Sequence, residues 1–391
     1  MPVAYRPPQF RPSYEARRRA ARRAGHIRLG VLVAVLALLI GIIVALSSGS
    51  SPAGSRRAGT TTTSSSIPSG TSGGKGVAGV TTHLLSWQLN SPLSRSVVLP
   101  AAGAQSLIVA GGLEPAGASD LGVYDVEASS GTATQVGNLL EPLHDAAGVV
   151  LGGKGYVFGG GTATPLTTVQ VLPSLGGTAV STTPATSVGV LPQPRTGASA
   201  VAIGGTAYLI GGMAATAADP AVLATSDGIH FATVAKLPVP VRDAAVAVLD
   251  GRIYVFGGDA ANGAHAGHPV DTVQMIDPSA HSATVVGSLP APVTGAAAAT
   301  LAGVIYVAGG EAAASAAATP TAVKTVWAWL ASSRRAVVAG HLEAAAAYAG
   351  LTVLGSQAWL VGGESAPGAL LRDVQTFEPN PSVTVGATGA S

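Results

Sequence analysis

The chain contains no cysteine in 391 residues. That absence excludes a disulfide framework, a zinc–thiolate centre and a thiol nucleophile. It also excludes a lipoprotein-type lipid anchor. Aromatic residues make up 4% of the chain and charged residues 10%, and lysine is scarce beside arginine. No P-loop or H-E-x-x-H motif occurs, and the one G-x-S-x-G string, at residues 70–74, lies in a Ser/Thr/Gly-rich stretch without the strand-to-helix pattern of a nucleophile elbow, so the motif-borne routes to acyl transfer, phosphate binding and zinc hydrolysis are missing. Beyond about residue 81 no segment sustains a helical apolar period. Only the Ala-rich patches near 311–319 and 343–349 come near one.

What is abundant is small. Hydrophobic residues make up 47% of the chain, with 52 Gly and 26 Pro. The formal net charge of +2 hides two opposed regions. Residues 1–28 carry eight Arg against one Glu, a charge of +7. Residues 77–391 carry 10 Lys and Arg against 18 Asp and Glu, and 10 − 18 is −8.

Residues 29–46, "LGVLVAVLALLIGIIVAL", hold neither a charge nor a proline. At about 1.5 Å per residue a helix of this length just crosses a bilayer core of about 30 Å. Arginines crowd its N-terminal side, so residues 1–28 are expected as a cytoplasmic arm and everything after residue 46 outside the cytoplasm, at the plasma membrane. The basic arm is then a topology determinant, and no nucleic-acid partner is expected. The alternative is a cleaved signal peptide, for which the apolar core is unusually long and "ALSSGSSPAGS" offers no strong cleavage site. Residues 47–80 are rich in Ser, Thr and Gly with no apolar period, the composition of a disordered, flexible linker.

After the linker, one stretch recurs six times: "SLIVAGG", "GYVFGG", "AYLIGG", "IYVFGG", "IYVAGG" and "AWLVGG". The glycine doublets are Gly111–Gly112, Gly159–Gly160, Gly211–Gly212, Gly257–Gly258, Gly309–Gly310 and Gly362–Gly363, spaced 46 to 53 residues apart. In so glycine-rich a chain the doublet alone is weak. Its context is stronger. Tyr156, Tyr208, Tyr254, Tyr306 and Trp359 stand three residues before the doublet, with Ile108 in that place in the first copy. A turn glycine precedes each copy, an apolar run precedes the turn, and a corner such as "LPQP" or "LPVP" precedes the run. A third strand ("TTVQVLPS", "DTVQMIDPS", "RDVQTFEPN") and a fourth follow, giving four strands per repeat of about 50 residues.

This set resembles the kelch repeat, with its apolar-aromatic strand ending in Gly-Gly. The usual fourth-strand Trp is Val136 or Phe231 here, and the corner Arg survives as Arg195 and Arg242 but is His144 or Thr294 elsewhere. The resemblance implies an all-β, six-bladed kelch-type β-propeller over residues 81–380, preceded by the transmembrane helix and linker and followed by a tail at 381–391. The last blade lacks an outer strand. "HLLSWQLNSPL" (83–93) is expected to supply it, with "SVTVGATG" as the rival.

In a propeller the loops that follow the doublets share one rim. Asp259, Glu311 and Glu364 directly follow three consecutive doublets, so they are expected side by side, attracting a cation or basic ligand. The alternative is capping or solvation of the loop starts. His144, Arg195 and Arg242 are expected near the same rim, either touching a ligand or tying loop carbonyls together. The pair His265 and His268 lacks a third ligand, so no metal and no cofactor are expected. "TSDGIHF" (225–231) loosely resembles a sialidase Asp-box, and a plain Asp-Gly turn explains it better. The expected function is non-catalytic binding of a protein or cell-envelope glycan, with no catalytic residues assigned. The alternative is a propeller enzyme acting on extracellular glycans through the rim carboxylates.

Overall fold

The computed structural model describes residues 76–214, 217–260, 266–312 and 320–386. The basic arm, the apolar run at 29–46 and nearly all of the linker lie outside the described residues, as does His265. Among the described residues there is no helix long and apolar enough to cross a membrane.

Among the described residues, six four-stranded antiparallel sheets form the blades, and three smaller sheets of two or three short strands are built on the loops after the doublets of blades 4, 5 and 6. Blade 1 comprises Val97–Pro100, Ser106–Ala110, Gly122–Glu127 and Ala133–Asn138. Blade 2 comprises Ala147–Leu151, Lys154–Phe158, Thr168–Val171 and Thr186–Val190. Blade 3 comprises Thr196–Ile203, Thr206–Met213, Ala221–Thr225 and Ala232–Lys236. Blade 4 comprises Ala245–Leu249, Arg252–Phe256, Thr272–Asp277 and Ser282–Ser288. Blade 5 comprises Ala297–Leu301, Val304–Ala308, Thr325–Leu330 and Arg335–His341. Blade 6 takes Gly350–Leu354, Gln357–Val361 and Asp373–Val385 from the C-terminal end and Val77–Gln88 from the N-terminal end. First strands of successive blades touch in cyclic order, and blade 6 touches blade 1. The sheets therefore form a closed propeller.

The N-terminal strand is the outer strand of blade 6, paired along Val77–Gln88 with Asp373–Val385. The segment proposed as its rival is not a separate strand. It continues the third strand, and Val385 pairs with Val77. The first strand thus begins at Val77, within the expected linker, and the last ends at Val385, within the expected tail.

Composition follows from position. First strands crowd the axis, so they are built largely from Ala, Gly and Val: a Cβ on Gly148 or Gly350 would fall on Val97 or Val98 of the neighbouring blade 1. Larger side chains occupy the wider gaps between second and third strands. Tyr254 and Phe256 of blade 4 pack in one cluster with Trp327 and Trp329 of blade 5, and Phe256 meets Trp329 edge-on at 5.8 Å. The aromatic before the doublet therefore packs between blades, as its repetition implies.

The first doublet glycine has a specific reason to be glycine. All six have φ between 60° and 66°, and a Cβ on each would strike the carbonyl of the next blade's corner: Leu143, Arg195, Val241, Val293, Ala346 or Leu93. The second glycine then donates to such a carbonyl, as in Gly258 to Val293 at 2.8 Å. Gly251, in the turn, also has positive φ, but open space surrounds it. Gly251→Ala is expected to cost about 1 kcal/mol, the backbone penalty alone. Gly257→Ala is expected to cost roughly 3 kcal/mol or more, because a backbone carbonyl must also move. Urea unfolding of the two variants checks the difference.

Candidate functional site at the axial rim

One residue per blade, just after the corner, turns left-handed: Arg95, Asp145, Gly197, Asp243, Gly295 and Tyr348, with φ of 53° to 66°. Each N–H donates to the carbonyl of its counterpart in the preceding blade. Arg95 donates to Tyr348, Asp145 to Arg95, Gly197 to Asp145, Asp243 to Gly197, Gly295 to Asp243, and Tyr348 to Gly295, at 2.7–3.1 Å. Six amides thus close a hydrogen-bonded ring around the axis. The ring lies at the same end as the doublets, because both bond to the corners.

The ring's side chains lean over one another. A Cβ on Gly197 would collide with the Asp243 carboxylate, and one on Gly295 with the Tyr348 ring. The two glycines make room for the neighbouring side chains. Arg95 is the hub. Its Nε donates to Glu364 Oε1 at 2.8 Å, its Nη1 lies 3.2 Å from Asp145, and its guanidinium sits 3.7 Å over the Tyr348 ring. One residue of blade 1 therefore engages blades 2 and 6. Burial acts against its charge, but Asp145 and Glu364 outweigh that and hold its pKa well above the ordinary value.

The residues expected at the rim divide into three groups. Asp259 and Glu364 are buried, not crowded into an exposed acidic ring. Asp259 receives Arg242 at 2.9 Å, and Glu364 receives Arg95 and the Ser94 hydroxyl. Glu311 occupies the matching register, paired with Thr294 as Asp259 is with Arg242, and is buried as well. A buried carboxylate is stable when a cation faces it, so at Asp259 and Glu364 the charge is met locally, by Arg242 and Arg95. His144 is half-buried, with Nδ1 2.8 Å from Ser119 Oγ. Burial lowers its pKa, partly opposed by Asp145.

Arg195 follows the second of its two expected roles, tying carbonyls together. Its side chain is fully buried. Nη1 donates to the carbonyls of Gly211 and Ala221, and Nη2 donates to Asp219 at 2.7 Å. It pins blade 3 internally and cannot meet a ligand at the surface. Of the His pair, His268 is exposed in a short strand facing Ala260. Asp227 of "TSDGIHF" caps a turn between the third and fourth strands of blade 3.

Two sets of residues escaped sequence reasoning. One is the ring itself, hidden because four residue types fill six equivalent positions. The other is Gln170, Gln274 and Gln375 in the repeated "VQ" of the third strand. Each accepts an N–H from the corner that leads into its own blade: Leu140, Val239 and Ala344, at 2.8–2.9 Å. Their threefold recurrence was the available signal.

Asp243 stands apart. Its side chain is 6% exposed, its nearest cation is Arg242 at 3.7 Å, and it packs over Gly197. Burial, reinforced by Asp145, pushes its carboxyl up to about 7, while Arg242 and Arg95 pull the other way. Its folded pKa therefore exceeds the unfolded value of about 3.9. The stability this proton supplies is complete below about pH 4 and is lost as pH rises through about 7. Asp243→Asn is expected to raise stability at pH 8 by on the order of 3 kcal/mol and little at pH 4. Thermal melts across that range check it.

No curated protein matches the chain. The kelch motif family matches residues 240–289, one full repeat around Gly257–Gly258. Among solved structures, "Structure of YjhT" aligns with a TM-score of 0.61 at 16% identity, covering 73% of this chain and 95% of that one. At that identity the likeness shows the fold alone. With one kelch motif matched at residues 240–289, and five further copies in register on six closed sheets, the fold is a kelch-type β-propeller.

Proposed function

We propose that the chain is a membrane-anchored bacterial protein whose propeller sits outside the cytoplasm and binds a protein or cell-envelope glycan at the axial rim. The observation that carries this is convergence. Arg95, Asp145 and Arg242, from blades 1, 2 and 4, keep part of their side chains exposed, and buried Glu364 and Asp259 hold the two guanidiniums in place beside a closed backbone ring. Charged groups held that rigidly form a preorganised polar surface, which lowers the cost of binding a polar partner. The Arg-flanked apolar run and the Ser/Thr/Gly segment support the anchored, extracytoplasmic placement.

Capture of envelope components by the full chain tests the rim. His144→Gln/Arg242→Gln/Glu311→Gln removes the imidazole and the charges of Arg242 and Glu311 while keeping a polar side chain at each position. Loss of the captured partner is expected. Capture at wild-type levels by a folded variant would reject the rim as the binding surface. Protease added outside spheroplasts is expected to digest the propeller, and protection of the propeller would reject the topology.

A further inference from the structure

Beyond the rim, a cleft of about 370 Å3 opens between blades 4 and 5, a size suited to a small ligand. It lies at the other end of the strands. Arg252, on its wall, begins the second strand of blade 4, and the doublet Gly257–Gly258 follows that strand's far end. One pleated face of blade 4 forms the wall. Tyr254, Met275 and Thr284 make a single cross-strand row there. The opposite wall is the hairpin of blade 5, where Ala331 is small enough to leave the blades apart and Trp329 forms the floor.

The walls carry two guanidiniums, Arg252 and Arg334, against one carboxylate, Asp277, which leaves an excess of positive charge. Trp329 is 2% exposed and its indole N–H has no hydrogen-bond partner, although a buried donor left unpaired is costly. Arg334 is exposed and makes no hydrogen bond or ion pair among the described residues. Arg252 bonds Asp277 through Nε alone, at 3.3 Å. Two of the ten basic residues in a region of charge −8 thus meet at one cleft. Below them the surface is aromatic and thioether: Tyr254, Trp329 and Met275.

We infer that this interblade cleft binds a carboxylate carried on a small aromatic or apolar body. The anion would lie against Arg334 and Arg252, and the body on Trp329 and Tyr254. Guanidinium groups suit a carboxylate by charge and fork geometry. The apolar floor supplies the burial that a simple anion such as acetate would not use. Such a carboxylate occurs both on free acids and at the C-terminus of a peptide ending in an aromatic residue.

Calorimetric titration of the full chain with phenylacetate tests this. Saturable one-to-one binding is expected, at least tenfold tighter than phenylacetamide, which has the same body without the charge. Arg334→Asn is expected to weaken phenylacetate at least tenfold. Asn suits the left-handed backbone at this position, where φ is 54°. Trp329→Phe, which keeps a ring and removes the N–H, is expected to weaken it several-fold. Acetyl-Gly-Phe with a free C-terminus separates the sources: tighter binding than phenylacetate identifies a peptide terminus, and weaker binding a free acid. Absence of saturable phenylacetate binding, equal affinity for phenylacetamide, or an unchanged affinity in folded Arg334→Asn would overturn the inference. If Arg334→Asn does not fold, the comparison of phenylacetate with phenylacetamide on the unaltered chain decides.

Discussion

Arg95→Ala is expected to destabilise the propeller by about 3–5 kcal/mol, the cost of leaving a buried charge without its partner. Glu364 is 97% buried and receives its guanidinium from Arg95. Truncation also removes the contacts to Asp145 and to the Tyr348 ring. These contacts join blade 1 to both its neighbours, so the loss falls on the seam where the circle closes. Arg95→Lys is expected to rescue little. One ammonium cannot bridge Glu364 and Asp145 and stack on Tyr348 with the same geometry. Arg95→Ala/Glu364→Gln separates the two contributions. If the uncompensated carboxylate dominates, the double variant recovers much of the loss in urea unfolding. If Arg95→Ala costs under about 1 kcal/mol, the hub assignment fails.

The second large effect concerns the same seam from outside. A chain beginning at residue 89 lacks Val77–Gln88, the outer strand of blade 6. Removing it strips the partner from the long strand Asp373–Val385 and exposes the edge that Val77–Gln88 covers. It also removes Trp87, which stacks on Trp359 at 6.5 Å, and leaves the Tyr306 hydroxyl without the Ala78 carbonyl it bonds at 2.8 Å. Loss of cooperative folding and aggregation through the bare edge are expected. A chain beginning at residue 76 is expected to melt as the full chain does. Circular-dichroism melts of the two truncations make the comparison.

Much of this architecture was legible because a propeller repeats itself. The period, the aromatic before the doublet and the turn glycine located the second strand of every blade, and the position of Trp87 located the closing strand. What escaped notice depends on backbone conformation more than on residue type. A left-handed residue that lends its amide to a ring can be Arg, Asp, Tyr or Gly, so Arg95, Asp145, Gly197, Asp243, Gly295 and Tyr348 share no letter. The rim acids show a different limit. Spacing placed Asp259, Glu311 and Glu364 in one register, and the structure keeps them there. Spacing could not say that Arg95, in another repeat, would turn back onto Glu364. Arg195 and Arg242 look alike along the chain, yet Arg195 is sealed inside blade 3 while Arg242 reaches Asp259. The difference comes from Asp219, an acid available in blade 3 to hold Arg195 in place.

A closed ring of backbone hydrogen bonds fixes the rim on which the charged groups converge. Amide hydrogen exchange at Arg95, Asp145, Gly197, Asp243, Gly295 and Tyr348 tests it most directly. Residues at loop corners ordinarily exchange quickly. All six are expected to exchange as slowly as the strand amides of the blades, and to speed up together in Arg95→Ala. Fast, independent exchange at these positions in the unaltered chain would contradict it.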